Sequence, residues 1–357
     1  MVLRCAIVGL TGIGTRHALG MVGDERVTLV CGCDDGFADN DGKSAAQVQA
    51  AFKANYAQDY PELRVYSGHE EMLAKEGPLD IVTVGVSDHR HADIVVNAAN
   101  AGVKGIFCEK PLATTMEDTD RMLEACERNG TILSVDHTRR FLPIWRYCKE
   151  QLVDKGAIGE IQYIIARLHG PRSMLWRNGT HIIDCMLWFG GEPAWVMGDF
   201  EEGYEDYDRY GQRGTDGGKD PALEPAVNGY ISFKSGVKGF YIGGSKKTPT
   251  NIKMEVELVG SSGRLLVDNA GDGRDENGEW TGTYHASATI WRTPKEEESW
   301  RTNTSAGKHL GMSVACCGYR VLLVVGSTTN AANIITLTTT TCMYHRRAHH
   351  RGFSRLC

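Results

Sequence analysis

The sequence predicts a two-part α/β protein, with a doubly wound parallel sheet first and a larger, mostly antiparallel open sheet after it. Short apolar runs alternate with helical segments over the first 135 residues, and a glycine-rich turn joins the first run to a helix. Beyond residue 160, short turns that suit hairpins separate the apolar runs. We therefore expect an α/β domain at 1–135, an α+β domain at 136–310 and an atypical tail at 311–357.

Parallel strands are expected in the first part because its apolar runs are short, bounded by turn residues and followed by segments of helical composition. The predicted strands are Ala6–Val8, Val27–Cys31, Val65–Tyr66, Asp80–Val84, Gly105–Cys108 and Ile132–Val135. One predicted helix follows the glycine-rich turn, and the others are Lys43–Tyr56, Glu70–Lys75, Ala92–Ala101 and Met116–Asn129.

The second part is expected to form hairpins around one helix, His181–Phe189. Its predicted strands are Gly159–Leu168, Ala226–Phe233, Val237–Ile242, Ile252–Val259, Arg264–Val267 and Ala286–Trp291. The acidic, glycine-rich tracts Glu201–Asp220 and Asn269–Glu279 are expected to be exposed loops. No Asp or Glu occurs after Glu298, and this one-sided composition is why we expect a poorly ordered tail.

The turn at 9–14 indicates a dinucleotide-binding Rossmann unit, because glycines let the backbone approach a pyrophosphate at a helix N-terminus. The turn residues expected to contact the cofactor are Gly9, Thr11, Gly12, Ile13 and Gly14. Thr11 stands where the usual pattern has glycine, so an ordinary strand–turn–helix stays an alternative. Asp34 follows the second strand and lies 20 residues beyond Gly14, near the spacing at which a carboxylate binds the adenosine ribose. Its charge repels a 2′-phosphate, so NAD is expected in preference to NADP.

Composition favours small-molecule chemistry. The net charge of −6, from 39 basic and 45 acidic residues, provides no overall attraction for nucleic acid or an anionic membrane. We find no secretory signal pattern and no apolar run near the roughly 18 residues of a membrane span. Several of the 11 cysteines lie in apolar segments, as expected of buried thiols in a reducing compartment. We therefore expect a cytoplasmic protein.

Two polar motifs follow predicted strands at their carboxyl ends, where ligands bind in open α/β sheets. Val86 to His91 (V-S-D-H-R-H) follows the strand Asp80–Val84, and Glu109-Lys110-Pro111 follows Gly105–Cys108. A third motif in the second part, from Gly179 to Asp184, reads G-T-H-I-I-D.

Together with the glycine-rich turn, these motifs resemble the Gfo/Idh/MocA oxidoreductases from about Leu3 to Gly311. The resemblance implies that Lys110 hydrogen-bonds the reacting hydroxyl and helps place the nicotinamide, and that His181 exchanges the hydroxyl proton. Further cofactor contacts that it implies are Val86, Ser87, His91, Glu109 and Lys110. The family's lysine–proline bond is commonly cis. A lysine whose pKa is lowered and a histidine that titrates near neutral pH can both exchange a proton.

Each of the two catalytic candidates also has a simpler explanation. Lys110 would then be an exposed surface lysine, and His181 a helix histidine satisfied by a neighbour. His89 and His91 suggest a metal site, but no third ligand has convincing spacing, so no metal is expected.

One position departs from the family pattern. Arg177 stands four residues before His181, where the family usually has aspartate, and Arg172 is close in sequence. A guanidinium can form two parallel hydrogen bonds to a carboxylate or phosphate. We therefore expect either that Arg177 binds an acidic or phosphate-bearing sugar, or that the chemistry differs from simple dehydrogenation. Asp184 is expected to bind substrate or orient His181; a solvated helix carboxylate is the alternative. The segment from Val135 to Phe141 resembles the family's cleft-lining domain link, with a weak contact at Thr138.

The expected reaction is hydride transfer between NAD(H) and a secondary alcohol of a sugar, cyclitol or related polyol. A glycosidase that uses tightly held NAD and a non-catalytic NAD-binding protein are the alternatives. The resemblance also implies a homodimer or homotetramer joined through the open sheet.

Overall fold

The computed structural model describes residues 2–36, 43–168, 175, 178–201, 226–244, 254–268, 283–292, 315–316, 319–321, 324–325 and 334–343. Two sheets organise these residues. The first contains six parallel strands, and the second is mostly antiparallel. The predicted fold class is therefore confirmed.

The first sheet has the strand order β3-β2-β1-β4-β5-β6. Its strands are β1 Leu3–Val8, β2 Val27–Cys33, β3 Arg64–Tyr66, β4 Ile81–Val84, β5 Gly105–Cys108 and β6 Ile132–Val135. Its α-helices are α1 Ile13–Met21, α2 Ala45–Tyr56, α3 His69–Glu76, α4 His91–Asn100 and α5 Met116–Asn129. The order reverses between β1 and β4, the kind of position at which ligands bind in doubly wound sheets.

Both faces of this sheet are covered. Ile7 and Leu29 pack with Phe52 of α2 on one face. Val82 and Val84 belong to the core that holds α3, α4 and α5 on the other. Burial on both faces explains why the strands read as continuous apolar runs.

The second sheet begins with β7 Ile161–Leu168 after two short helices, a five-residue α6 at Pro143–Tyr147 and a π-helical turn at Cys148–Val153. Helix α7 covers Gly179–Gly190 and packs against β7. The strands that complete the central sheet are β8 Pro193–Phe200, β9 Val227–Phe233, β10 Lys238–Gly243, β11 Met254–Gly260, β12 Gly263–Asp268 and β13 Thr283–Arg292. Strand β7 pairs in parallel with β10 and antiparallel with β11.

Four further strands extend the β13 edge. They are β14 Ala315–Cys316, β15 Tyr319–Val321, β16 Val324–Val325 and β17 Ile334–Met343. Strand β17 pairs antiparallel with β13, and the extended sheet has 11 strands. These four strands lie in the sequence expected as an atypical tail; the expectation that the tail is poorly ordered stays a prediction, as do the domain boundaries.

Strand β8 was not predicted from the sequence, because its residues are exposed on both faces and show no alternation of buried and exposed positions. The short helix α6 was also missed, although its Trp145 is fully buried in the hydrophobic core that packs against the second sheet. The predicted loops at 201–220 and 269–279 lie outside the described residues, except for position 201.

Helix α1 depends on glycine at position 14. A Cβ atom on Gly14 would lie 1.8 Å from the carbonyl oxygen of Gly9, whereas one on Gly20 of the same helix would meet nothing within 4 Å. We expect Gly14→Ala to lower the free energy of unfolding by about 3 kcal/mol through overpacking. Gly20→Ala should raise it by roughly 0.5–1 kcal/mol, because alanine is the better helix former. Urea unfolding of both variants checks this, and equal midpoints would contradict it.

Candidate active site

The glycine-rich turn fits a pyrophosphate. Gly9 has a φ of +94° and Gly12, the N-cap of α1, a φ of +50°, so both adopt backbone conformations that favour glycine. A Cβ on Gly12 would meet nothing within 4 Å, and no capping side chain or acidic residue occupies the first turn of α1. Within its own first turn, the helix N-terminus thus presents its amide dipoles without an acidic side chain. Thr11 and Ile13 lie in the same turn.

Asp34 lies beside this turn. Its Oδ2 accepts a hydrogen bond of 2.9 Å from the Leu10 N–H, and its Oδ1 accepts one of 2.8 Å from the Gly36 N–H. These two bonds hold the carboxylate against the start of the turn, at the carboxyl edge of the sheet. The following Asp35 forms an ion pair with Arg90.

His91 joins the turns that follow β4 and β5. Only 1% of the residue is exposed; its Nδ1 lies 3.0 Å from the Pro111 carbonyl oxygen, and its Nε2 lies 3.1 Å from that of Val86. Burial lowers the pKa of His91 below its ordinary value. Since both ring nitrogens face the protein's own carbonyls, the structure gives His91 a supporting position in these turns. Its predicted place, like that of Ser87, beside the cofactor stays a prediction.

Lys110 follows β5 in a turn that backbone and side-chain hydrogen bonds hold. The Glu109 N–H donates to the Val84 carbonyl at 2.9 Å, and the Lys110 N–H lies 3.2 Å from Glu109 Oε2. The Lys110–Pro111 peptide bond is cis, as the resemblance implies.

His181 enters from α7 of the second domain and is 6% exposed. Its Nδ1 is buried and has no hydrogen-bond partner among the described side chains and backbone. Burial lowers the pKa of His181 well below its ordinary value, and the positive charges of Arg139 and Lys110 lower it further. The imidazole is therefore neutral near pH 7 and can accept a proton. Lys110 thus lies within electrostatic range of His181, and the catalytic roles expected of the two residues stay predictions.

Asp184 has other partners than the sequence indicated. The Arg140 Nε donates to its Oδ2 at 2.7 Å, and the His137 Nδ1 lies 3.5 Å from its Oδ1. The Arg140 guanidinium also lies 5.5 Å from the Trp188 ring centroid. Asp184 therefore fastens α7 to the segment that links the domains, and its predicted role in substrate binding stays a prediction.

The segment 135–141, which links the two domains, contributes more side chains to this site than the sequence predicted. The His137 and His181 rings meet edge to face with centroids 5.9 Å apart, and Arg139 acts on the His181 charge. The resemblance indicated that residues 135–141 line the cleft and assigned a weak contact to Thr138, which stays a prediction; it did not single out His137 or Arg139. Arg177 and Arg172 lie outside the described residues, so their predicted contacts with an acidic substrate stay predictions.

A second polar cluster was missed altogether. His17, Glu109 and Asp136 form the one group within the described ranges whose side chains come close enough together to hold a metal ion. His17 lies three residues after Gly14 and so shares the helix face that packs on the sheet, a signal the sequence carried. The expectation that the protein has no metal stays a prediction.

Comparison with known proteins identifies the first domain. Residues 3–137 match the oxidoreductase family GFO_IDH_MocA, which is described by its NAD-binding Rossmann fold. The match confirms the resemblance to the Gfo/Idh/MocA oxidoreductases, and the N-terminal domain belongs to that family. Its cofactor is NAD; the lower expectation for NADP stays a prediction.

Three similar proteins extend the comparison across both domains. Myo-inositol 2-dehydrogenase of Thermotoga maritima is 29% identical over 276 residues, which are 75% of each chain. The NAD(+)-dependent scyllo-inositol 2-dehydrogenase of Bacillus subtilis is 27% identical over 288 residues, which are 74% of this chain and 73% of that one. The crystal structure of myo-inositol 2-dehydrogenase from Lactobacillus plantarum superimposes with a TM-score of 0.57 and 23% identity, covering 74% of this chain and 76% of that one. The structural likeness shows that the two-domain fold is shared.

The proximity of Lys110 and His181 can be tested without any substrate. Lys110→Met removes a positive charge that lowers the pKa of His181, so that pKa should rise toward its ordinary value. Titration of the imidazole signals by NMR measures it. Lys104→Met is the matched control, since Lys104 is exposed and pairs with Asp80. An unchanged His181 titration in Lys110→Met would contradict the shared site.

Proposed function

We propose that this protein is an NAD-dependent dehydrogenase that transfers a hydride between the cofactor and a secondary alcohol of a sugar, cyclitol or related polyol. The observation that carries the proposal is that a buried histidine of the second domain lies within electrostatic range of Lys110, a lysine of the first domain, and that burial and positive charge keep this histidine neutral. Two relatives that are named as inositol 2-dehydrogenases and align over about three quarters of the chain support the substrate class.

The cofactor would lie along the carboxyl edge of the first sheet. The N-terminus of α1 and the glycines of the turn would hold its pyrophosphate, and Asp34 would accept hydrogen bonds from the adenosine ribose. Bound NAD supplies the hydride acceptor. Glu109 and Lys110 lie in the turn after β5, where the resemblance predicts the nicotinamide end.

The two candidate catalytic side chains divide the work on the substrate hydroxyl. The Lys110 ammonium would donate a hydrogen bond to the hydroxyl oxygen and stabilise negative charge as the C–H bond breaks. The neutral imidazole of His181 would accept the hydroxyl proton. In the reverse direction, an imidazolium at His181 would return the proton to the carbonyl oxygen.

Charge in the site favours an acidic substituent on the substrate. Lys110 and Arg139 both place positive charge near His181, whereas the charge of Arg140 is met by Asp184. A carboxylate or phosphate would balance that charge. This supports the acidic-sugar version that Arg177 suggested from the sequence.

Oxidation assays test the proposal. Absorbance assays of NADH formation on sugars, uronates, sugar phosphates and inositols should reveal turnover with NAD. Lys110→Met and His181→Gln should each lower the rate by about 10²- to 10⁴-fold, the usual contribution of a positioned acid or base. Lys104→Met, an exposed lysine at the other edge of the sheet, should retain the full rate.

Other outcomes identify the two alternatives. Release of a free aglycone without net NADH formation would indicate a glycosidase that uses NAD transiently. NAD binding without turnover of any panel member would indicate a binding protein. Turnover that survives Lys110→Met would contradict the catalytic assignment.

We further propose that the chain forms a homodimer or homotetramer through the open face of the second sheet. Trp195, Tyr230 and Phe240 form an aromatic row across β8, β9 and β10, with ring centroids 5.1 and 5.3 Å apart. Trp195 is 55% exposed and Phe240 41% exposed, an apolar surface typical of an interface. None of the described helices is both long and apolar enough to span a membrane.

Light scattering tests the oligomer. We expect a mass of two or four chains for the unaltered protein and a smaller mass for Phe240→Glu, because a charge in the aromatic row would have to be buried. Leu123→Glu is the matched control, since Leu123 is 49% exposed on α5 of the other domain. A monomeric unaltered protein would contradict the proposal.

A further inference from the structure

A buried cluster of ionisable side chains lies beneath the Glu109–Lys110 turn and does not include the Lys110 and His181 side chains. His17 belongs to α1, Glu109 follows β5 and Asp136 follows β6. The His17 Nε2 lies 3.4 Å from Glu109 Oε1 and 3.6 Å from Asp136 Oδ2. The three side chains are only 7%, 10% and 13% exposed. Two carboxylates therefore flank one imidazole in a place that water scarcely reaches.

The surroundings of His17 favour a positively charged ring. Burial by itself lowers the pKa of a histidine, but the carboxylates of Asp136 and Glu109 outweigh burial and raise the pKa of His17 to about 9. The ring also packs against Phe107, with centroids 5.4 Å apart. Among the described residues, these two carboxylates are the charged groups that act on the ring. A positive charge between them offsets their mutual repulsion.

The cluster joins the parts that carry the cofactor and the lysine. Helix α1 begins at the glycine-rich turn, so His17 is rigidly connected to the pyrophosphate site. The other carboxylate oxygen of Glu109 lies 3.2 Å from the Lys110 N–H. The Asp136 N–H donates to the Cys108 carbonyl at 2.8 Å, directly before Glu109. The charge on His17 thereby ties α1 to the ends of β5 and β6.

We propose that His17, held as an imidazolium between Glu109 and Asp136, is a positioning residue that fixes Lys110 relative to the cofactor-binding helix α1. The inference rests on the proposed role of Lys110. With a neutral side chain at position 17, the two buried carboxylates would lose their counter-charge, so that one takes up a proton or the two move apart, and either change alters the Glu109 side chain that accepts from the Lys110 N–H. A lysine at position 17 would keep the charge and much of the position.

The protonation of His17 is measured first, on the unaltered full chain. NMR titration, with the His17 signal assigned from its loss in His17→Gln, should show a ring that is protonated at pH 7.5 and titrates near pH 9. Asp136→Asn should lower that midpoint. His69, half-buried and with its pKa lowered by burial, should titrate below its ordinary value in the same spectra. A neutral His17 at pH 7.5, or one divalent metal ion per chain that His17→Gln abolishes, would overturn the proposal.

The positioning effect is measured through His181, whose pKa reports the nearness of the Lys110 charge. His17→Gln should raise the pKa of His181, and His17→Lys should restore it. His69→Gln removes another imidazole of the same domain and should change nothing. These readouts need no turnover, so the proposal can be judged even where the dehydrogenase assignment fails. Equal His181 titrations in the unaltered protein and in His17→Gln would overturn it.

Kinetics add a second readout on any substrate that the panel identifies. His17→Gln should lower kcat by about 10- to 100-fold, the order expected of a small misplacement of a catalytic group. The Kd of NADH should stay within about threefold, and His17→Lys should recover most of kcat. An equal loss of kcat in both variants would show that ring shape, not charge, matters and would contradict the proposal.

Discussion

The close approach of Gly14 to the Gly9 carbonyl is the constraint on which the rest of the first domain depends. It lets α1 begin directly against the end of β1, because any side chain at position 14 would collide with backbone. The same placement brings the amide of Leu10 to Asp34 and carries His17, one helical turn later, to the ends of β5 and β6. The shape of the glycine-rich turn, the place of the Asp34 carboxylate beside it and the polar cluster under Lys110 therefore all depend on one backbone contact.

Two histidines show how environment decides chemistry. His17 and His181 are both buried, and burial alone lowers the pKa of each. His17 lies between two carboxylates, which reverse that effect, whereas the charges that act on His181 among the described residues are positive and reinforce it. Near pH 7 the first is a cation suited to holding elements together, and the second is a neutral base suited to accepting a proton. Charge therefore holds elements of the first domain together, whereas α7 of the second domain contributes an uncharged imidazole.

Particular elements show which features the sequence could predict. The parallel strands of the first sheet were found because both faces are buried, which leaves continuous apolar runs. Strand β8 was missed because it is exposed on both faces and has no period of two. Lys110 and His181 were identified through a resemblance that depends on local motifs. The Arg140–Asp184 pair and the His17 cluster were not, because their members are far apart in sequence and their meeting depends on how helices and strand ends pack.

The sequence by itself determined the order of the elements, the glycine-rich turn, the acidic residue after β2 and the two motifs that carry Lys110 and His181. These features are local, since each depends on residue types within a few positions. Tertiary structure alone decided that Asp184 fastens α7 to the domain link, that His17 sits between two carboxylates and that Lys110 and Arg139 act on His181. Protonation states and ion-pair partners depend on distances through space and on burial, which the order of residues along the chain does not specify.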